Sequence, residues 1–275
     1  MEDIYDEIVR IRQEGEVAAL ATIIWVKGST PRAEGSKMLV RSDGSILGSV
    51  GGGCLEADVW QAARKVIEEE TPKSLNFDLT GQEDTPEGLI CGGTMQVFVE
   101  PILSQPTIYL FGAGHIGFAL SRLAKMTGFR VAVIDDRPAY ANAERFPDAD
   151  DIYVEDPEMM VSKLKINKAS YLVIACRGHL EDQQVLAQAV KTPAVYIGMI
   201  GSKKKVKTVF TNLKAEGIPQ ETLDGIYTPI GLRIAAETPE EIAVSIMAEI
   251  ISIRRQKKTL RGSSLRGTRT GAEVV

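Results

Sequence analysis

The apolar positions of the first hundred residues alternate between two periods. Ile4, Ile8 and Ile11 recur at helical spacing and predict an amphipathic opening helix. Residues 17–26 form an apolar run with strand composition, and the segment 27–32 follows it. Strands are expected over 37–41 and 45–50, on either side of the turn signal Ser42-Asp43-Gly44. Helical spacing returns with Leu55, Val59, Ala62, Ala63, Val66 and Ile67, with Glu56, Asp58, Gln61 and Arg64 between them. Residues 75–79 and 94–100 read as two more strands, separated by a polar loop at 80–88 and by Cys91-Gly92-Gly93. Long parallel alternation is lacking, so residues 1–104 are expected to form a small α+β domain.

From Thr107 strand and helix alternate regularly. Strands are expected at 107–111, 130–135, 151–154, 171–176, 194–199 and 225–227, and helices near 116–127, 158–164, 180–190 and 203–216. A last helix over 238–255 opens with Thr238-Pro239-Glu240-Glu241, where Thr caps, Pro fits the first turn and Glu complements the helix dipole. Within this half, Gly112-Ala113-Gly114-His115-Ile116-Gly117 lies between an apolar strand and a helix, and Asp135 ends the next strand about 20 residues further on. That context makes 105–256 a Rossmann-like doubly wound parallel sheet, and the whole chain α/β with a smaller N-terminal α+β domain. The basic, small and polar residues 257–275 are expected to be a flexible tail.

A length of 275 residues gives room for two domains, and a 44% hydrophobic content is ordinary for a folded chain. The net charge of −5 gives no reason to expect nucleic acid. Acidic residues among the first twenty argue against a secretory signal, and no apolar run approaches the roughly 20 residues that cross a bilayer. Three cysteines far apart make neither a disulfide framework nor a zinc spacing, and a reducing cytoplasm is the expected setting.

The candidate chemistry centres on Ser49-Val50-Gly51-Gly52-Gly53-Cys54, which runs into a helix. Unpaired backbone N–H groups and the positive end of the dipole favour an anion there, and a thiol so placed tends toward thiolate. Gly52 and Gly53 let a bulky ligand approach the backbone. The plain alternative is a small residue at a helix start, and the residues alone leave the two readings open. The glycine turn at Gly112, Gly114 and Gly117 suits a phosphate, whether of a nicotinamide, a flavin, another nucleotide or a pterin. Asp135 suits ribose hydroxyls, while Arg137 could instead meet a phosphate. Gly201-Ser202-Lys203-Lys204-Lys205 is either a second anion site or a solvated helix face. Cys176, Arg177 and His179 follow the fourth strand of this half. His179 could be a general acid or base, and His115 a packing or orienting residue.

Gly28-Ser29-Thr30-Pro31-Arg32, Gly48 to Glu56 and Cys91-Gly92-Gly93 resemble the amino-terminal half of the XdhC/CoxI proteins, accessory factors of xanthine dehydrogenase. The second half resembles that family's Rossmann domain at 112–117, Arg177-Gly178-His179, 196–202 and 236–243. The resemblance implies a cytoplasmic carrier, rather than a turnover enzyme, for the molybdenum cofactor in its molybdopterin or dinucleotide form. Such a carrier shelters the cofactor while sulfur from a cysteine desulfurase replaces an oxo ligand, and helps deliver it to the molybdenum hydroxylase. It implies Cys54 as a molybdenum ligand or sulfur handler and Cys91 as a second ligand or shield. Ser29, Arg32, Gly52 and Gly53 would contact the pterin or its phosphate, and the turn at Gly112 would take the phosphate or nucleotide end. A homodimer fits such a carrier. Two alternatives stand beside it: an NAD(P)-dependent oxidoreductase using the Rossmann domain, and an adaptor that only bridges desulfurase and hydroxylase.

Overall fold

A computed structural model describes residues 3–79 and 92–262, with side chains to residue 255. The chain divides after Gln105 into two compact units. Among the described residues no helix is long and apolar enough to cross a membrane.

The first unit is a five-stranded antiparallel sheet between two helices. Its strands are β1 (Ala18–Lys27), β2 (Lys37–Arg41), β3 (Ile46–Gly48), β4 (Lys73–Asp78) and β5 (Thr94–Ile102), in the order β3-β2-β1-β5-β4. Helix α1 (Ile4–Glu14) is capped by Asp3, whose carboxylate accepts from the Tyr5 N–H at 2.7 Å, and it covers one face through Ile11, Leu20 and Leu39. Helix α2 (Gly53–Glu69) covers the other with Leu55, Val59, Ala63 and Val66, set against Ala19, Ala21, Val97 and Val99. Residues 18–21 of β1 are therefore buried on both faces, which explains a continuous apolar run where a two-layer sheet would alternate. β1 outruns β2: it pairs with β2 only as far as Thr22, shifts register between Ile23 and Trp25, and follows β5 to Lys27. The chain then turns through 28–36 at this end of the sheet.

The second unit is a parallel sheet of β6 (Thr107–Phe111), β7 (Arg130–Ile134), β8 (Asp151–Tyr153), β9 (Ser170–Ile174) and β10 (Tyr196–Met199), ordered β10-β9-β6-β7-β8. Tyr227 adds a single parallel bridge to Gly198, the position of a sixth strand, where a full strand over 225–227 is expected from sequence. Alternation along β6 sends Ile108 and Leu110 to the face under α3 (His115–Met126) and α8 (Pro239–Gly262). Tyr109 and Phe111 go to the face under α4 (Pro157–Lys163), α5 (His179–Ala189) and α6 (Lys203–Ala215). Strand order reverses between β6 and β9, so a crevice opens above their carboxyl ends.

Two further local features differ from the sequence expectation. A short helix α7 (Gln220–Asp224) follows Pro219, and α8 continues to Gly262. The expected tail therefore starts as helix, consistent with the good helix formers Lys257, Lys258, Leu260 and Arg261. The polar loop at 80–88, Cys91 and residues 263–275 lie outside the described residues.

Candidate functional site

The first site is built by the entry into α2. Gly52 is the cap residue at φ 78° and Gly53 the first helical residue at φ 62°, both in the left-handed region that side chains disfavour. A methyl group on either would meet nothing within 4 Å, so the backbone faces open space there. Cys54 is the second residue of the helix, at the helix start expected from the glycine run, and it is exposed. Glu56, which the sequence reading treats only as a polar spacer, turns out to be the clasp of the loop. Its Oε2 accepts from the Ser49 hydroxyl at 2.6 Å and from the Gly52 N–H at 3.3 Å, while the Gly51 N–H donates to Ser49 Oγ at 3.2 Å. The carboxylate thus places a negative charge at the positive end of α2 and satisfies one of its amide donors internally.

A turn far away in sequence, 28–32, touches this loop on one side and a third segment, 92–93, on the other. The Pro31 side chain lies against Gly51, where an added methyl would come within 3.2 Å of it. Gly28 lies against the backbone of Gly92 and Gly93, and a methyl on Gly93 would be 2.3 Å from the Ser29 carbonyl oxygen. Gly92 and Gly93 are held in turn by Leu79, which accepts from the Gly92 N–H at 3.0 Å and donates to the Gly93 carbonyl at 2.8 Å. The turn itself is closed by the Thr30 hydroxyl, which donates to the Arg32 carbonyl at 2.9 Å, and it leaves Ser29 and Arg32 exposed. Cys91 precedes Gly92 in sequence and lies outside the described residues.

The Rossmann crevice is the second site. Gly112 packs so tightly that a methyl there would lie 2.1 Å from the Ala175 carbonyl oxygen, and one on Gly117 would lie 2.2 Å from the Gly112 carbonyl oxygen. Gly114, the cap of α3, faces open space. This division of labour is the one a phosphate-binding turn requires: two glycines for close packing and one for ligand approach. Asp135 is at the expected strand end but buried, and its carboxylate is spent on the protein. Oδ2 accepts from the Ala113 N–H at 2.8 Å, and both oxygens accept from Arg137. Burial works to raise its pKa, but the Arg137 fork and the two N–H donors outweigh it and hold the carboxyl below its ordinary value. Arg137 in turn lies 3.8 Å from the Tyr140 ring centre. The groups offered to a ribose or phosphate by sequence therefore hold each other.

Around the rest of the crevice, Asp136 accepts from Arg177 at 3.2 Å. Fully buried Asp182 pairs with Lys205 and accepts from the Cys176 N–H at 2.8 Å. Burial pushes the Cys176 thiol far up, with Asp182 adding to the effect, so this cysteine stays neutral. At the head of α6, Ser202 accepts from the Lys205 N–H at 3.3 Å and Lys205 points inward to Asp182, leaving Lys203 and Lys204 as exposed cations. His115 and His179 are the exposed first residues of α3 and α5.

Comparison with known proteins adds an independent line. Residues 108–250 match the family model described as the XdhC Rossmann domain, and residues 11–78 match that of the XdhC and CoxI family. The chain is 32% identical to the protein YqeB of Escherichia coli strain K12 over 92% of its own length, and spans 46% of that protein. It is 28% identical to a probable xanthine dehydrogenase subunit of Bacillus subtilis strain 168, covering 89% of this chain and 95% of that one. It is 24% identical to the molybdenum cofactor insertion chaperone PaoD of Escherichia coli strain K12, covering 90% and 86%. A crystal structure described as a xanthine dehydrogenase from Bacillus halodurans superposes with a TM-score of 0.52 at 26% identity, over 94% of this chain and 97% of that one.

Proposed function

This chain belongs to the XdhC and CoxI family, and on that premise we propose that it is an accessory factor for the molybdenum cofactor. It binds the cofactor, supports its sulfuration and delivers it to a molybdenum hydroxylase of the xanthine dehydrogenase type. The observation that carries this reading is that the 28–32 turn touches both the glycine loop leading into Cys54, through Pro31 and Gly51, and the Gly92-Gly93 backbone, while Cys54 itself is exposed at the start of α2. The names of the Bacillus subtilis and PaoD relatives support the same role.

The residues fit such a ligand. Cys54 is a soft donor of the kind a sulfur-rich metal centre prefers. Gly52 and Gly53 leave room for a flat, bulky group beside it. Ser29 and Arg32, on the adjoining turn, supply a hydroxyl and a planar fork for a pterin or a phosphate. Glu56 holds the glycine loop that presents the thiol. Cys91, next to Gly92 in sequence, is a second ligand or shield. The bound cofactor supplies the molybdenum that carries the sulfur; the chain binds it, orients it and covers it. A cysteine desulfurase and a second copy of this chain complete the set of partners. An NAD(P)-dependent oxidoreductase is less well supported, because the carboxylate expected to receive a ribose is locked onto Arg137.

The test is to purify the full chain from cells supplied with molybdate, then measure its molybdenum and its pterin by mass analysis. Both are expected with the wild-type chain, and Cys54→Ala is expected to retain at least about tenfold less metal. Unchanged retention together with unchanged activation of a hydroxylase would remove Cys54 from the role.

A further inference from the structure

A cavity of about 530 Å³ lies along the flank of α3, between that helix and the 144–149 segment. Its size falls in the range of small-ligand pockets, roughly 300–1,000 Å³. His115, Phe118, Arg122 and Lys125 line one wall and recur on one face of the helix. The cavity therefore runs away from the crevice above the strand ends and adjoins the glycine turn only at His115.

Its chemistry is mixed in an informative way. Phe118 and Phe146 meet edge to face at 5.8 Å. The Arg145 guanidinium lies 4.8 Å from the Tyr140 ring centre, 5.8 Å from that of Phe118 and 5.9 Å from that of Phe146. Phe146 is buried and its ring stands at 74° to that of Phe118, so the groups offered to a ligand are the planar Arg145 guanidinium and the partly exposed Phe118, on which heteroaromatic rings stack. Lys125 is held by Asp150 at 2.8 Å, but among the described residues neither Arg122 nor Arg145 has an ion-pair partner. Glu144 and Asp148 line the same space. A plain phosphate would be repelled by those two carboxylates. A ligand with an anionic end, a flat ring and hydroxyl or amino donors satisfies all of the groups at once.

We infer that this cavity is a second ligand site and that it takes a nucleoside phosphate. The base lies against Arg145 and Phe118, the phosphate meets Arg122, and Glu144 and Asp148 accept from ribose hydroxyls or exocyclic amines. The ligand is a free mononucleotide or the mononucleotide half of a larger cofactor. The inference stands apart from the molybdenum reading, because it concerns only the second unit and uses none of the residues around Cys54.

Calorimetric titration of the full chain with AMP, CMP, NAD+ and inorganic phosphate tests it. Saturable binding of a mononucleotide at roughly millimolar affinity or tighter is expected, with phosphate at least about tenfold weaker. Exposed Arg122→Glu is expected to weaken the nucleotide about tenfold or more while leaving the thermal midpoint in place. NAD+ binding more tightly than AMP or CMP, and equally sensitive to Arg122→Glu, would identify the occupant as half of a dinucleotide within the same site. Three results would overturn the inference: no mononucleotide binding, phosphate binding as tightly as the nucleotides, or nucleotide binding that Gly114→Val abolishes and Arg122→Glu leaves unchanged. The last would place the ligand on the glycine turn alone.

Discussion

Arg137 closes on Asp135 with both arms of its guanidinium, Nε to Oδ1 and Nη2 to Oδ2, each at 2.8 Å. The carboxylate is almost fully buried and also anchors the Ala113 N–H of the glycine turn. Arg137→Ala should leave it charged and buried with backbone donors alone, at a cost of about 2 to 3 kcal/mol. The urea midpoint measures this. Because the pair holds the Asp135 pKa below its unfolded value, its stabilisation is present above that unfolded value and is lost as pH falls through the folded one. The variant's stability should accordingly vary less with pH below 5 than that of the wild type, where about 4 is the ordinary Asp value.

Glu7 gives a second pH signature in the other unit. It is buried on the inner face of α1, accepting from Arg10 Nε at 2.8 Å and from Arg41 Nε at 2.5 Å. Hydrogen bonds from Arg10 and then Arg41 lower its pKa to about 2. Unfolding therefore takes up a proton between the ordinary value near 4.5 and about 2. The first unit should lose stability across that window as pH falls, and Glu7→Gln should flatten the loss while lowering stability at neutral pH. Circular dichroism melts from pH 7 down to pH 2 decide the matter.

The glycines of the Gly112 turn should separate by role. An alanine methyl at Gly112 meets the Ala175 carbonyl at 2.1 Å, and the residue sits at φ 116°. Gly112→Ala should destabilise by about 3 kcal/mol or fail to fold. Gly114 has φ −69° and open space, so Gly114→Ala should stay within about 0.5 kcal/mol of wild type. Any ligand that rests on the turn should nevertheless bind Gly114→Ala more weakly, read by calorimetry against the same thermal midpoint.

Glu56 should matter to cofactor retention without touching the cofactor. Glu56→Ala removes the acceptor for the Ser49 hydroxyl and the Gly52 N–H, costing about 1 kcal/mol in the urea midpoint. Molybdenum retained on purification should fall although Cys54 is intact, and Glu56→Gln should recover part of it by keeping an acceptor oxygen.

The lysines at the head of α6 should be unequal. Lys205→Met strands fully buried Asp182 and should cost about 3 to 5 kcal/mol. Lys203→Ala and Lys204→Ala, both exposed, should stay within about 0.5 kcal/mol. Chemical denaturation of the three variants makes the comparison.

Periodicity determined the elements. The 3.6 and 2.0 repeats of apolar residues placed every described strand and all but one of the helices, because burying one face needs only local spacing. Short α7 escaped: five residues carry too little periodicity to be seen. The glycine turn opening at Gly112 and the helix start beside Cys54 were equally legible, since positive φ and helix capping are local demands. What only the tertiary structure decided is who holds whom. The 28–32 turn reaches both Gly51 and the Gly92-Gly93 backbone because β1 outruns β2 and follows β5 to Lys27. Glu56, a surface polar residue by pattern, became the clasp of the glycine loop at Gly51. Asp135 and Lys205, ligand groups by pattern, were taken by Arg137 and Asp182. A buried charge goes to the nearest compensating partner, and the identity of that partner depends on distances across the fold that spacing along the chain does not encode.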